Sequence, residues 1–230
     1  MAALPTIGLI GGTGKLGRGL ALRLAAAGYP VLLGSRTQAR ASDASETLRA
    51  RLASAAVRAA DIQGVENAAV VARADVVFLT LPFATLDDFL HDRGALLRGK
   101  VVVDVVNPLR IVDERVELVP VDEGSVGARV QRLAPGARVV SGFKNAAAGH
   151  LLKLERPVHG DILLASDDVD AKAAVAKLVA AIPELRAVDA GPLANAGLLE
   201  SLTALELNLN RIHHAVTAVR ILGIRDPLAP

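Results

Sequence analysis

Short apolar runs alternate with amphipathic stretches along this chain up to about residue 190. Residues 6–10, Thr-Ile-Gly-Leu-Ile, are apolar, partly β-branched and bounded by glycines, the pattern of a strand buried on both faces. Residues 15–27 follow with Leu16, Leu20, Leu24 and Ala27 at helical spacing, and Gly28 stands where a helix ends in a left-handed residue. Tyr29-Pro30 then turns the chain into the apolar Val31-Leu32-Leu33. The alternation continues with a polar surface helix over 38–59, a short strand or turn at 61–64, a helix over 65–73, the strand 76–79, a helix over about 85–97 and the strand 101–106. Residues 109–121 mix charges without a clear period and read as loop. Beyond them come a helix to about Leu133, the strand 138–141, a strand at 161–165, a helix over 168–182 and a strand at 185–189. Strands alternating with helices make a parallel sheet covered on both faces, so the fold class is α/β, a doubly wound parallel sheet of the Rossmann kind. The strands at 161–165 and 185–189 are expected to extend that sheet.

The pattern changes after Ala190-Gly191-Pro192. Leu198, Leu199, Leu202, Leu205, Leu207, Leu209 and Ile212 fall on more than one face of a helix running from Leu193 to about Val219. A helix apolar nearly all round is buried on several sides. The chain therefore divides into a large domain over 1–190 and a small C-terminal helical segment over 191–230, with a second copy of the chain expected against the latter as a homodimer.

The first turn of the sheet carries the chemistry. The opening strand empties into Gly12-x-Gly14-x-x-Gly17, directly ahead of a helix. Gly12 permits the tight turn, Gly14 lets the backbone approach a pyrophosphate, and Gly17 lets helix and strand pack closely. The free N–H groups and partial positive charge of the helix start favour phosphate. The second strand then decides which dinucleotide binds. An NAD site places a carboxylate there, on the ribose 2′-hydroxyl, whereas this chain has Gly34-Ser35-Arg36, with Arg40 one turn on. A hydroxyl and guanidinium forks suit a 2′-phosphate, so the dinucleotide is NADP(H) and residues 1–190 are its binding domain.

Ligands of open parallel sheets sit outside the carboxyl ends of the strands. That rule adds Thr13, Leu16, Thr80, Leu81, Pro82, Phe83, Asn107-Pro108 and Phe143-Lys144-Asn145 to the expected lining, with the nicotinamide beside the later strand ends.

Composition narrows the alternatives. The 230 residues are 52% apolar, enough for a sizeable core, and the formal charge is only +2. The pI of 9.2 reflects a close balance of acids and bases, and one Tyr, four Phe and no Trp offer little for base stacking, so nucleic acid is not expected. Without cysteine there is no disulfide, thiol catalysis or thiolate metal site. Charges such as Arg73 and Asp75 interrupt every apolar run short of a membrane span, so a cytoplasmic protein is expected. His213 and His214 are adjacent, about 100° apart on a helix, and the other histidines are scattered, so no metal site is expected.

Several stretches together resemble the NADPH-dependent coenzyme F420 reductases (F420H2:NADP oxidoreductases). They are Gly11-Gly12-Thr13-Gly14-Lys15-Leu16-Gly17, Gly34-Ser35-Arg36, Thr80-Leu81-Pro82-Phe83, Val188-Asp189-Ala190-Gly191-Pro192-Leu193 and Leu199-Glu200-Ser201-Leu202-Thr203. The resemblance spans the chain in order and length. It implies hydride transfer between the nicotinamide C4 of NADP(H) and C5 of the deazaflavin coenzyme F420. It also implies dinucleotide contacts at Gly12, Thr13, Leu16, Ser35, Arg36 and Arg40, a deazaflavin pocket closed by the C-terminal helix with Ser201 and Thr203 nearby, and a dimeric assembly.

Hydride exchange between two carriers asks for orientation and electrostatics rather than an acid or base from the protein. Lys144, the cation among the later strand ends, is the candidate for stabilising negative charge on the reduced deazaflavin or its phosphate tail. Two other readings share the nucleotide unit: an NADP-dependent reductase of a small imine or β-hydroxy acid, and a non-catalytic NADP(H) sensor. The first needs a proton donor and a long helix after the sheet domain, where only about forty residues follow Gly191. The second has no use for polar Ser201 and Thr203 beside a crevice.

Overall fold

The computed structural model describes residues 3–224. Residues 1, 2 and 225–230, the outer ends of the two expected domains, lie outside the described residues. The chain opens with β1 (Ile7–Ile10), α1 (Lys15–Ala26), β2 (Val31–Ser35), α2 (Gln38–Ser54), β3 (Ile62–Glu66), α3 (Asn67–Arg73), β4 (Val76–Leu79), α4 (Leu86–Arg93) and β5 (Val101–Asp104). It continues with β6 (Leu109–Val112), β7 (Arg115–Leu118), α5 (Val126–Leu133), β8 (Arg138–Ser141), α6 (Ala148–Leu151), β9 (Gly160–Leu164), α7 (Val169–Ala180), β10 (Leu185–Asp189) and α8 (Ala196–His213). Six parallel strands make the central sheet in the order β3-β2-β1-β4-β5-β8, reversing direction between β1 and β4. Side chains of β1 and β4 are fully enclosed by helices on both faces, which is why these strands read as unbroken apolar runs. One core layer holds Ile7, Leu9, Phe78 and Val103 with α1 and α7, and the other holds Ile10, Val77, Leu79 and Val102 with α3, α4 and α5.

Three expectations change. Residues 109–118 are not loop but an antiparallel hairpin pairing Leu109 with Leu118 and Val112 with Arg115. Asp113 and Glu114 both take positive φ, +45° and +62°, the twist a two-residue hairpin turn needs, without the Asn-Gly or Asp-Gly signal that usually marks it. The hairpin is completed from afar: the Asn208 amide on α8 accepts from the Val116 N–H and donates to the Val116 carbonyl, both at 2.9 Å. The strands β9 and β10 do not extend the main sheet. They form a separate parallel pair, tied to β8 by one antiparallel bridge in which Ser141 and Ala165 exchange two 2.9 Å bonds. Finally, α8 stops at His213, with His214 left-handed, and residues 214–224 fold back along β9, where buried Asp161 accepts from the Ile221 N–H and the Arg186 guanidinium.

The inner face of α8 buries Leu199, Glu200, Thr203 and Glu206, while Leu198, Leu205 and Ile212 are each more than half exposed. Glu206 has a buried Oε1 without a hydrogen-bond partner, and burial alone pushes its carboxyl up to about 7. A carboxyl whose folded pKa lies above its unfolded value favours folding while protonated, so its contribution falls as pH rises from about 4.5 to 7. Glu206→Gln is therefore expected to raise stability at pH 8 by roughly 2–3 kcal/mol and to leave it nearly unchanged at pH 5. Urea unfolding at the two pH values checks this; an equal effect at both would exclude a buried titration.

Candidate functional site

The loop from β1 to α1 is shaped by its glycines. Gly11 has φ +70°, and its N–H donates to the Asn67 Oδ1 at 3.1 Å, which anchors the loop to the start of α3. A Cβ on Gly17 would stand 2.5 Å from the Gly12 carbonyl oxygen and 2.6 Å from the Gly12 Cα. Helix and loop thus touch backbone to backbone, and Gly12 is buried beneath the contact. A Cβ on Gly14 would meet no protein atom closer than 3.9 Å, so the need for glycine there comes from the open side. Gly14 caps α1 with no side-chain bond, and the first turn has no acid, which leaves its N–H groups to an outside anion.

That loop forms one end of a cleft of about 800 Å³ along the carboxyl ends of β1, β2, β4 and β5. Thr13, Gly14, Leu16, Gly17, Ser35, Arg36, Arg40, Thr80, Leu81, Pro82, Phe83 and Asn107 all line it. Arg36 and Arg40 are exposed on its rim, while Ser35 is buried at the end of β2. At the far end the Thr80 hydroxyl donates to the Ile10 carbonyl at 2.8 Å, tying β4 to β1 at the point where strand order reverses. The Asn107 amide nitrogen donates to the Lys144 carbonyl at 3.0 Å, so its oxygen faces the other way, buried and without a partner. An orphaned acceptor there fits the carboxamide N–H of a nicotinamide.

Other expectations do not place residues in the cleft. Gly12 acts from below it. Phe143 is a core residue at φ +54°, edge-on to Phe78 with ring centroids 5.5 Å apart. Asn145 donates to the Asp161 carbonyl on β9. Lys144 is not an open cation: its side chain is 1% exposed, and its Nζ lies 2.8 Å from Asp104 Oδ2, 3.1 Å from Glu200 Oε1 and 2.5 Å from the Val106 carbonyl oxygen. Its charge is spent on two buried carboxylates rather than on a ligand. Burial pushes the Glu200 carboxyl up while Lys144 pulls it down, the net direction being up, and its Oε1 also accepts from the Val126 N–H at the start of α5. Ser201 and Thr203 are two residues apart and point to different sides. The Thr203 hydroxyl is buried on the Leu199 carbonyl, whereas Ser201 faces a shallower cavity of about 360 Å³ walled by Pro108, Leu118 and Gly197.

The cleft also holds residues the strand-end rule leaves out. Thr85, Asp88, Phe89 and Asp92 line it from the segment of α4, and their spacing of three, four and seven is a legible helix face. Lys15 stands inside the glycine motif itself. Asn67 carries no such signal, because its role depends on β3 lying beside β2 and β1. Among the described residues no group of three or more His, Asp or Glu is arranged to hold a metal ion. No helix among them is long and apolar enough to cross a membrane.

Gly17→Ala is expected to displace the loop and cost about 1–3 kcal/mol of stability. Gly14→Ala should change stability by less than about 1 kcal/mol. It should nevertheless weaken dinucleotide binding about tenfold or more, some 1.4 kcal/mol. Thermal melts beside fluorescence titration with NADPH separate the two, and a Gly14→Ala protein that binds normally would remove the backbone-approach argument.

A family model described as NADP oxidoreductase coenzyme F420-dependent matches residues 6–108. The chain is 38% identical over 223 residues to the F420-dependent NADP reductase of Methanothermobacter thermautotrophicus (strain Delta H), covering 95% of this chain and 93% of that protein. It is 35% identical over 221 residues to the F420-dependent NADP reductase of Methanocaldococcus jannaschii, covering 95% and 98% respectively. Among solved structures, a proposed F420-dependent NADP-reductase from Arthrobacter sp. FB24 superposes with a TM-score of 0.78 at 26% identity, covering 97% of this chain and all of that one. A reductive aminase from Aspergillus terreus shares the fold, with a TM-score of 0.59 at 18% identity, but this chain spans only 64% of its length.

Proposed function

The chain belongs to the F420-dependent NADP oxidoreductase family, and on that premise we propose how its residues serve hydride transfer between NADP(H) and the deazaflavin coenzyme F420. The protein is an oxidoreductase whose two substrates are those carriers. They supply the redox chemistry, and the chain supplies binding, orientation and electrostatics. The observation that carries the assignment of residues is the single cleft running from the uncapped start of α1, past Ser35, Arg36 and Arg40, to the unpartnered oxygen of Asn107.

In this reading the N–H groups after Gly11 and at the start of α1 hold the pyrophosphate, with Lys15 beside them. Ser35, Arg36 and Arg40 take the 2′-phosphate through charge-assisted bonds. Thr80, Leu81, Pro82 and Phe83 wall the nicotinamide, and the Asn107 oxygen accepts from its carboxamide, which fixes the face presented to the acceptor. The deazaflavin ring seats beyond Asn107-Pro108, toward the cavity that Ser201 faces at the start of α8. Aligning the two rings in this way removes the entropy of their encounter from the barrier. The exposed apolar face of α8, with Leu198, Leu205 and Ile212, together with Ile111 of the hairpin, supports a homodimer built on the C-terminal segment. A cytoplasmic location goes with charged, water-soluble substrates.

The test is to mix the protein with NADPH and oxidised coenzyme F420 and follow the deazaflavin absorption, with NADH in parallel. Rapid bleaching with NADPH and little with NADH is expected. Tight NADPH binding without bleaching would overturn the assignment of the acceptor and leave an imine or hydroxy-acid substrate, or a sensor role, to be examined.

A further inference from the structure

The buried cluster around Lys144 lies between the two cavities of the site. Asp104 joins it at the end of β5, next to Val106 and Asn107 of the main cleft, and Glu200 joins it from α8, where it lines the cavity of about 360 Å³ that Ser201 faces. One ammonium and two carboxylates meet there, with side chains no more than 3% exposed, so the cluster is neutral only while one carboxyl holds a proton. The hydrogen bonds say which oxygen holds it. Asp104 Oδ1 accepts from the Val106 N–H at 3.0 Å, and its Oδ2 accepts from the Ser141 hydroxyl at 3.2 Å and from Lys144. Glu200 Oε1 accepts from Lys144 and from the Val126 N–H at 2.9 Å. Glu200 Oε2 meets no donor among the described residues and is not sealed in, which leaves it on the wall of the cavity with room for a proton. No other described residue lining that cavity is titratable, and the charged groups that face Glu200 are Lys144 and Asp104. Burial keeps this carboxyl above its ordinary range despite the ammonium beside it.

Hydride transfer creates a use for that proton. Moving hydride from the nicotinamide C4 to the deazaflavin C5 breaks one C–H bond and forms another, and the electron pair displaced in the acceptor runs to its pyrimidine end. The reduced carrier is complete only when a nitrogen there gains a proton, so the balanced reaction takes NADPH, F420 and one proton to oxidised NADP and F420H2. We propose that Glu200 is a catalytic residue, whose Oε2–H gives that proton to the pyrimidine nitrogen as hydride arrives and whose carboxylate takes it back in the reverse direction. The carboxyl O–H bond breaks and the N–H bond forms. The carboxylate left behind is held by the Lys144 ammonium and by the Val126 N–H at the start of α5, and water entering the cavity restores the proton. Lys144 thus stabilises the base that the protein keeps, not the ring that leaves. The inference rests on the reading of this cavity as the deazaflavin seat, and it adds the proton that orientation of the two rings does not supply.

Two measurements on the full chain test it. Rapid mixing of Glu200→Gln with NADPH and oxidised coenzyme F420 is expected to show reduction about 10²-fold slower than in the unaltered protein, with NADPH affinity held within about twofold. In the unaltered protein the rate should fall as pH rises through the titration of Glu200, and the Gln variant should lose that limb of the profile. Glu200→Asp keeps an acid but draws it back from the cavity; it should fall between the two in rate and keep the limb, and it carries the test should the Gln variant not fold. The second measurement needs no substrate. The infrared band of a protonated carboxyl, taken as the unaltered protein minus Glu200→Gln, should be present and should titrate above the ordinary glutamate range. A Gln variant that keeps the pH limb, whatever its rate, would make Glu200 part of the framework only and overturn the proposal, as would the absence of the band. An unaltered protein that binds NADPH but does not reduce coenzyme F420 at any pH would instead overturn the reading of the acceptor.

Discussion

Replacing Lys144 by Met is expected to cost about 3–5 kcal/mol of folding stability, because removing one partner of a buried ion cluster leaves the other charges without compensation. In a chain of this size the melting temperature should fall by roughly 10 °C or more. Asp104 and Glu200 are both essentially unexposed and both lean on the Lys144 Nζ, so the variant would enclose two carboxylates with no cation. The sign of the pH dependence follows. Without Lys144 the folded pKa of the Glu200 carboxyl, already raised by burial, rises further above its unfolded value, so the deficit grows as pH rises from about 4 and shrinks in acid, where the protonated group needs no partner. The damage should reach the cleft, since the same Nζ holds the Val106 carbonyl and the Lys144 carbonyl holds the Asn107 amide. A rise in the KM for NADPH should therefore accompany the lost stability. Neutralising the cluster together, as Lys144→Met with Asp104→Asn and Glu200→Gln, should recover most of the loss. A single variant that loses less than about 1 kcal/mol in urea unfolding would refute the account.

The second large effect concerns dinucleotide choice. The double variant Arg36→Ala, Arg40→Ala is expected to lower kcat/KM for NADPH by about 10²–10³, from two charge-assisted bonds discounted for their exposure. With NADH the value should change little, because neither guanidinium has a 2′-phosphate to meet. The ratio of the two values is the decisive readout. High salt should narrow it in the unaltered enzyme, since the rim guanidiniums are open to screening. A parallel fall with both dinucleotides would place the two arginines in the framework of the loop rather than on the phosphate.

Much of this site is legible in the order of residues. The strand before the glycines, the helix after them and Ser35-Arg36 at the end of β2 are neighbours within thirty residues. Their geometry follows from turn and helix stereochemistry that needs no distant partner. The helix face of Thr85, Asp88, Phe89 and Asp92 is equally local and can be read from spacing. Lys144 shows where this kind of reading stops. Its position at the end of β8 marks it as a crevice residue, but the direction of its side chain depends on Phe143 taking a left-handed backbone and on two carboxylates 40 and 56 residues away in sequence.

The same division runs through the fold. Periodicity alone determined the alternating strands and helices, the parallel sheet and the phosphate loop, because each of those features repeats within one or two turns of the chain. Only the tertiary structure decided that 109–118 is a hairpin, since its outer face is solvated and its inner edge is satisfied by Asn208, 92 residues beyond Val116. It likewise decided that β9 and β10 stand apart from the main sheet. These outcomes turn on which buried polar groups find partners across long separations, and a buried donor or acceptor reveals its partner only once the chain has brought the two together.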